Sequence, residues 1–473
     1  MSLRFPLFAL SALALSGCSS AKMSGSMDYG LAPGGQQGID NARDAVQGGE
    51  VPDPADITVE GILNDHDMPI EGDACEQTVC VDLAAGTGWI DAAEQSSVLV
   101  QVGYDSNIDP ETWVRPDSEF TVVIDVSGSM AEEIAPIQRA LRVMADQLTG
   151  NDTLAIVVYG SDTAVLLPPV SGSQRGAIDD AINSLRSAGS TNMEAGLTLA
   201  YVTAQQMQQM SEGNRNSRVM LFTDEQPNTG ATSIGSFRQI IEDGANEGIG
   251  LTMFGIGDGF SSGLAYSIGD LRGGNWKYLA TNTEVEQVFT EGFGFLVTPV
   301  AYDLFVELQT RSPMEAAYNV QGAGNSSDGS GAVVSMHVST LFLSSGHGAS
   351  VLQLQAGGAD PSDLRVAEGS LSFETVDGDV RTQEVSADLG DAAGGYQEDA
   401  FAQAGTRKAA ALVNEGLTAI EICQAYKEHN VRRAAEHAAE TDARLTAEAA
   451  ALDDDDLRSE LDFFKKLEHN AGL

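Results

Sequence analysis

The chain runs through the apolar stretch Phe120-Thr121-Val122-Val123-Ile124 directly into Asp125-Val126-Ser127-Gly128-Ser129. A short apolar run of this kind, bounded by turn-forming residues, predicts a buried parallel strand. The carboxylate of Asp125 and the hydroxyls of Ser127 and Ser129 follow at alternate positions, where that strand ends. Such oxygen ligands suit Mg²⁺, which prefers near-octahedral coordination and keeps several of its waters. The pentapeptide therefore indicates a cation site at the carboxyl end of a strand.

Two later segments supply further oxygen ligands. Thr191 lies between two helical patterns, and Asp224 ends a second apolar run that begins at Arg218. Strand patterns at 120–125, 153–159, 218–224, 250–257 and 276–280 alternate with amphipathic helical patterns. This alternation predicts an α/β fold, with a doubly wound, mostly parallel sheet that carries helices on both faces. Ligands of such sheets bind outside the carboxyl ends of the strands, where Asp125 and Asp224 fall.

Together, these ligands resemble the metal-ion-dependent adhesion site of von Willebrand factor type A domains: Asp125, Ser127, Ser129, Thr191 and Asp224. The resemblance covers residues 118–299 and implies a Rossmann-like sheet. It also implies that the two serine hydroxyls bind Mg²⁺ (or Mn²⁺ or Ca²⁺) directly, while Thr191 and Asp224 bind it directly or through water. In the family, a carboxylate of a partner protein completes the coordination shell.

The sequence departs from the family pattern at one position. Glu225 follows Asp224, where the family commonly has glycine. The Glu225 carboxylate either adds negative charge, which favours metal and repels an acidic ligand, or points to solvent. The departure affects the choice of ligand and leaves the predicted fold unchanged.

The N-terminus has the pattern of a leader. Arg4 precedes an apolar stretch, residues 5–15, that is too short to span a bilayer, and Ser16-Gly17-Cys18 follows it. Leu15-Ser16-Gly17-Cys18 looks like a bacterial lipobox, which implies that residues 1–18 are a signal peptide and that Cys18 is lipidated. Several acyl chains on one cysteine give stable anchoring. The expected location is the cell envelope, at the outer membrane of a Gram-negative bacterium; an ordinary cleaved signal peptide with an incidental cysteine is the alternative.

The other cysteines fit an oxidising compartment. Cys75 and Cys80 are close enough in sequence to close a small loop, which predicts a disulfide. A zinc site would need more ligands, and His66 is the only histidine nearby. Cys423 lies in a helical pattern that predicts a buried free thiol.

Composition limits the partners. The chain has 473 residues, with 25 Lys plus Arg against 69 Asp plus Glu, for a formal charge of −44. This charge repels nucleic acid and anionic lipid headgroups, so electrostatic binding to either is excluded. We interpret it as an adaptation to a salty environment, in which screening relieves self-repulsion; weak Ca²⁺ binding by the acidic surface is the alternative.

Changes in composition and in helical or strand periodicity along the chain predict six segments. They are a leader (1–18), a flexible Gly/Ser/Pro/Gln-rich tether (19–56), an N-terminal β segment (57–117), the metal domain (118–299), a β-sandwich-like domain (300–390) and a helical C-terminal segment (391–473). The β segment is too short to stand alone and is expected to pair with strands beyond the metal domain. The C-terminal helices either dock on the sandwich or form a partner-binding surface, and the sequence does not separate these alternatives.

Catalytic signatures are missing from the sequence. The six histidines are scattered and none has paired-ligand spacing, and no nucleophile elbow or phosphate-binding loop occurs. We therefore expect a non-enzymatic binding protein that recognises an acidic side chain of a partner protein through Mg²⁺. The alternatives are an envelope scaffold with a non-essential metal site and a metal-dependent hydrolase using the same residues.

Overall fold

The computed structural model describes residues 29–35, 38–72, 74–211, 213, 215–224, 233–257, 265, 267, 269–279, 288–290, 292–310, 314–319, 325–327, 332–356, 365–389 and 400–473. The strands are β1 (Gly30–Pro33), β2 (Cys80–Ile90), β3 (Gln95–Asp105), β4 (Ser118–Asp125), β5 (Thr153–Tyr159), β6 (Thr163–Ser171), β7 (Asn216–Thr223), β8 (Ile249–Ile256), β9 (Gly274–Leu279), β10 (Pro299–Thr310), β11 (Met314–Asn319), β12 (Asn325–Ser327), β13 (Ala332–Ser344), β14 (Ala349–Ala356), β15 (Arg365–Thr375), β16 (Val380–Asp388) and β17 (Ala400–Phe401). The helices are α1 (Asp40–Gln47), α2 (Val59–Asn64), α3 (Ile134–Asp146), α4 (Arg175–Ser184), α5 (Met193–Met210), α6 (Ile234–Asn246), α7 (Phe293–Val297), α8 (Ala404–Lys427), α9 (Ala435–Leu452) and α10 (Asp455–Ala471).

A six-stranded sheet in the order β6-β5-β4-β7-β8-β9 forms the middle of the chain. All its pairings are parallel except that of the edge strand β6 with β5. Helices α3, α4 and α7 pack on one face, and α5 and α6 pack on the other. The apolar strands are buried on both faces because helices cover both. This arrangement confirms the predicted doubly wound α/β fold.

A second, antiparallel sheet contains eleven strands among the described residues. Its main path is β11-β14-β3-β1-β13-β10-β15-β16, and β2 pairs with β3. The sheet curls around one apolar core, so that Gln383 Nε2 on β16 donates a hydrogen bond to the Val81 carbonyl on β2, at 3.4 Å. Strands of the curled sheet lie on opposite sides of this core, which gives the sheet its sandwich-like form.

The α/β domain is inserted into this antiparallel sheet. Strand β3 precedes the domain and pairs with β14, which follows it, confirming that the N-terminal β segment pairs beyond the metal domain. The two ends of the inserted domain lie side by side: Asn216 Nδ2 donates to the Val297 carbonyl at 2.6 Å and approaches Ser118 Oγ at 3.4 Å. Arg272 Nη2 bonds Glu374 Oε1 across the domain boundary at 2.8 Å.

The predicted flexible tether was wrong from Tyr29 onward. Strand β1 pairs with β13 from Gly30 to Pro33, with Leu31 fully buried, and α1 buries Ala42 and Val46. Elements of four and eight residues are too short to produce a clear periodic signal, so the Gly- and Gln-rich composition concealed them. Residues 1–28, with the leader and Cys18, lie outside the described part of the chain.

The C-terminal helices dock on the antiparallel sheet. Helices α8, α9 and α10 pack with α1 and α2 against one face, in an apolar core that includes Leu99, Val351, Leu412 and Phe464. Asp454 caps α10 by accepting a hydrogen bond from the Leu457 amide at 2.9 Å. Cys423 in α8 is a buried free thiol. No helix in the described ranges combines the length and apolarity needed to cross a bilayer.

Cys75 and Cys80 form a disulfide at the start of β2. Replacing both by serine is expected to lower the free energy of unfolding by about 2 kcal/mol. Without the disulfide-closed loop, the unfolded chain has more conformational entropy and is therefore more favourable. Urea unfolding of the wild type and of C75S/C80S measures the difference. Dithiothreitol should reproduce the loss in the wild type and leave the double variant unchanged; equal stabilities would contradict the prediction.

His347 joins Asp67, in the loop after α2, to Asp105 at the end of β3. Its Nδ1 lies 2.8 Å from Asp67 Oδ1, and its Nε2 lies 3.4 Å from Asp105 Oδ1. Hydrogen bonds with Asp105 and Asp67 raise the pKa of His347 to about 9 against the opposing effect of burial. The folded state thus binds this proton more tightly than the unfolded state does. The stabilisation is fully present below the unfolded pKa of about 6.5 and is lost as the pH rises through about 9.

We therefore expect wild-type stability to exceed that of H347Q by roughly 2 kcal/mol at pH 6, after allowance for screening of the half-exposed Asp67. The difference should shrink toward zero above pH 9. Urea unfolding of both proteins at pH 6, at pH 7.5 and above pH 9 tests this. A difference that stays constant with pH would show that His347 contributes by packing alone.

Candidate metal centre

The two candidate carboxylates lie at the same edge of the parallel sheet. Asp125 is the last residue of β4, and Asp224 directly follows β7. Because β4 and β7 are paired and parallel, their carboxyl ends meet at this edge. Asp125 is fully buried and Asp224 is 5% exposed. The fold therefore places both acids where a ligand of such a sheet binds.

A tight turn after β4 adds the two serines. The Ser127 amide donates a hydrogen bond to Asp125 Oδ1 at 2.8 Å. The hydroxyl oxygens of Ser127 and Ser129 lie 3.0 Å apart. One carboxylate and two hydroxyls thus come from a single turn of the chain, as their alternate spacing predicts.

The loop that carries Thr191 is fastened to the same turn by backbone hydrogen bonds. The Gly128 amide donates to the Gly189 carbonyl at 3.0 Å, and the Ala188 amide donates to the Val126 carbonyl at 2.6 Å. Gly189 has a φ of +92°, and a Cβ at this position would lie 2.2 Å from the Ser161 hydroxyl, so glycine is required. Thr191 follows this junction and is 1% exposed.

The electrostatics of the pair favour a cation. Burial, together with the charge of Asp224, raises the pKa of Asp125 to about 6. Asp224 Oδ1 is buried and has no hydrogen-bond partner among the described residues. A buried carboxylate oxygen without a partner is costly, and a nearby second carboxylate adds repulsion. A divalent cation would relieve both costs, so the residues fit the metal that the sequence implies.

The donor set is rich in hydroxyls. No group of three or more His, Cys, Asp or Glu side chains within the described ranges is arranged to hold a metal ion. The site thus has two carboxylates and relies on Ser127, Ser129 and Thr191 for its remaining oxygens. Hard cations such as Mg²⁺ accept such ligands.

Sequence reasoning missed two neighbours of Asp125. Thr223 Oγ1 lies 3.5 Å from Asp125 Oδ2, and Tyr159 ends β5 beside Asp125 in the sheet register. Burial and the charge of Asp125 hold the pKa of the Tyr159 phenol well above its usual range. Their positions at the ends of adjacent strands were the available signal. Glu225 lies outside the described residues.

Residues 120–226 match the family model described as von Willebrand factor type A domain. The chain contains a von Willebrand factor type A domain. The matched segment holds all of the predicted ligands, from Asp125 to Asp224. The structure and the family match thus agree on the fold of this part of the chain.

Relatives extend the comparison. The Escherichia coli (strain K12) "Uncharacterized protein YfbK" is 33% identical over 197 residues, which are 41% of this chain and 34% of that protein. The match therefore spans about a third of the relative's length. The solved von Willebrand factor type A protein from Catenulispora acidiphila has a TM-score of 0.50 at 13% identity, over 80% of this chain and 89% of that one. It shows a shared fold. The ArnB paralog VWA2 from Sulfolobus acidocaldarius has a TM-score of 0.39 at 16% identity, over 83% and 98% of the two chains.

Proposed function

We propose that this protein is a binding protein of the cell envelope, anchored through lipid on Cys18, that holds a partner protein through Mg²⁺ at its von Willebrand factor type A domain. The observation that carries the proposal is the buried Asp224 oxygen, which has no hydrogen-bond partner among the described residues and lies near the charge of Asp125. Domains of this family are generally interaction modules rather than enzymes, which supports binding over turnover.

The residues of this chain would contribute to the ion site in different ways. The Ser127 and Ser129 hydroxyls would bind it, and Thr191 and Asp224 would bind it directly or through water. Asp125 would anchor the turn through the Ser127 amide and balance the charge. When bound, Mg²⁺ would supply a coordination position that accepts a carboxylate of the partner.

Two other functions use the same residues less well. A metal-dependent hydrolase needs a general base; among the described residues no histidine contacts Ser127 or Ser129, and the two carboxylates would serve the ion as ligand or counter-charge. A scaffold with a non-essential metal site would also satisfy the Asp224 oxygen with the ion, but it gives the bound ion no function. The extensive packing of the antiparallel sheet and its helices is compatible with a scaffold, so the experiment must separate scaffold from adhesion.

The test is capture of partners from envelope extract by the purified full chain, in Mg²⁺ and in EDTA. Wild type, D125A and D162A are compared; Asp162 is an exposed aspartate in the neighbouring β5–β6 loop and serves as the matched control. A partner retained by the wild type and D162A only in Mg²⁺, and lost by D125A, supports the proposal. Identical capture by all proteins in both buffers would exclude a metal bridge, and metal-dependent turnover lost in D125A would favour the hydrolase.

A further inference from the structure

Two glutamates face each other inside the helical layer that covers the antiparallel sheet. Glu415 on α8 is fully buried, and Glu460 on α10 is 3% exposed. The two carboxyl groups are hydrogen-bonded to each other. A hydrogen bond between two carboxyl groups requires a proton on one of them, because an ionised carboxylate can only accept. The pair therefore carries at most one negative charge.

The hydrogen-bond donors described around the pair contact Glu460. Arg43 Nη2 on α1 donates to Glu460 Oε1 at 2.6 Å, and His66 Nε2 lies 2.9 Å from the same oxygen. Neither oxygen of Glu415 receives a hydrogen bond from an N–H or a hydroxyl of a described residue, and the same holds for Glu460 Oε2. A carboxylate at Glu415 would thus be buried without a donor, which is costly. The geometry places the proton on Glu415, with Glu460 as the acceptor.

Charged groups of the neighbouring elements pair with one another and not with Glu415, as far as the structure describes them. The pairs are Arg43 of α1 with Asp40, Asp65 and Glu460; Lys277 of β9 with Asp40; His66 with Glu460 and Asp456; Lys408 of α8 with Asp454 and Asp456; Arg407 of α8 with Glu448; His437 of α9 with Glu421; Arg444 of α9 with Asp91; and Lys465 of α10 with Asp442. Arg43 is the described cation whose charge reaches Glu415, and Glu460 already binds it directly. Ionisation of Glu415 would therefore add a second negative charge without adding a cation.

The titration of both groups agrees with this placement of the proton. Burial raises the pKa of Glu415 well above its usual range, and the negative charge of Glu460 raises it further. Against the opposing effect of burial, the His66 hydrogen bond and the charge of Arg43 lower the pKa of Glu460. Glu415 thus keeps its proton in the folded protein at pH values where a glutamate of the unfolded chain is ionised.

We propose that Glu415 and Glu460 form a pH-dependent latch between α8 and α10, which a proton on Glu415 closes. Toward alkaline pH this proton passes to hydroxide in the solvent, the hydrogen bond between the carboxyl groups is lost, and two carboxylates repel each other in the apolar core. Helix α10, which Arg43 also joins to α1, is then held less tightly against α8. The latch couples the docking of the C-terminal helices to the pH of the surroundings, and it is independent of the candidate metal centre.

Urea unfolding of the full chain and of E415Q at about pH 6, 7 and 8 tests the latch. Glutamine keeps the shape and a hydrogen-bond donor, and it has no proton to release in this range. Because the folded state binds the Glu415 proton more tightly than the unfolded chain does, the stabilisation is fully present below the unfolded pKa of about 4.5 and is lost as the pH rises through the higher folded value. The unfolding equilibrium constant of the wild type relative to that of E415Q is therefore expected to rise at least about tenfold from pH 6 to pH 8.

Two controls separate the latch from other titrations. D462N removes an exposed carboxylate from α10, and its unfolding constant relative to the wild type should not change with pH. Titration of groups that both proteins share, such as His66, cancels in the ratio. E415M introduces an uncharged side chain of similar volume and replaces E415Q if the glutamine variant does not fold. A ratio of wild type to E415Q that stays constant from pH 6 to pH 8 would overturn the proposal.

Infrared spectroscopy and hydrogen exchange observe the proton and the helix directly. The difference spectrum between the wild type and E415Q at about pH 7 should contain the C=O stretching band of a protonated carboxyl group, and this band should disappear at alkaline pH. Amide exchange in α10, normalised to exchange in β4, should be equal in the two proteins at about pH 6 and faster in the wild type at about pH 9. A missing carboxyl band at pH 7, or equal exchange in α10 at pH 9, would each contradict the latch.

Discussion

Addition of Mg²⁺ at about 100 times its dissociation constant is expected to stabilise the wild type by about 2.7 kcal/mol. This effect should be absent in D224A. The reason lies in Asp224 Oδ1, a buried oxygen with no described hydrogen-bond partner, which the ion would satisfy in the folded state alone. Thermal unfolding in Mg²⁺ and in EDTA measures it. D162A is the control and should respond like the wild type.

The Asp125→Asn variant sharpens this test. Asparagine keeps the shape of the side chain and removes a charge that burial and Asp224 make unfavourable. In EDTA, D125N is expected to equal or exceed the wild type in stability, whereas in Mg²⁺ it should be the less stable protein. A packing defect would lower the stability of D125N in both buffers, so it cannot reverse the stability order of the two proteins. A Mg²⁺ response of the same size in D224A, D125N and the wild type would place the binding ion elsewhere.

Replacement of Arg43 by alanine is expected to destabilise the protein by about 3–5 kcal/mol. Arg43 in α1 bonds Asp65 Oδ2 at 2.5 Å and Glu460 Oε1 in α10 at 2.6 Å. The Glu460 side chain is only 4% exposed, so alanine would leave a buried carboxylate with His66, whose Nε2 lies 2.9 Å from Glu460 Oε1, as its remaining partner. Urea unfolding of the wild type and R43A measures the loss.

A double variant isolates the charge contribution. Glu460→Gln in the R43A background removes the buried charge that R43A leaves behind, so R43A/E460Q is expected to be more stable than R43A alone. Arg458, an exposed arginine of the same helix, pairs with Asp453 and Asp455 at the surface. R458A should therefore change stability little. If R458A and R43A lost equal stability, burial of the Arg43 network would not be the cause.

Strong local patterns made the α/β domain predictable. The predicted strand at 153–159 is β5, and those at 250–257 and 276–280 differ from β8 and β9 by one or two residues at their ends. Buried parallel strands give continuous apolar runs, which are easy to recognise. Strand β6 was not predicted, because its prolines at 168 and 169 are tolerated only at a sheet edge.

The candidate site was predictable in its ligand types and not in its surroundings. Asp125 and Asp224 are found at adjacent strand ends, as parallel pairing requires. The contacts of Thr223 and Tyr159 depend on neighbouring strands, and a single sequence does not specify them. The same limit applies to β1: its partner β13 lies some 300 residues away, and only the tertiary structure reveals that pairing.

The insertion of the metal domain has a mechanical consequence. Its two ends emerge side by side, bridged by Asn216. If a partner is held at the candidate metal centre, a pull on it would be shared between two covalent connections to the antiparallel sheet. If the chain is anchored at Cys18, the same tension would arrive from the other side through β1, a strand of only four residues. We expect β1 to peel from β13 before the metal domain unravels, so that this short strand sets the load the protein withstands.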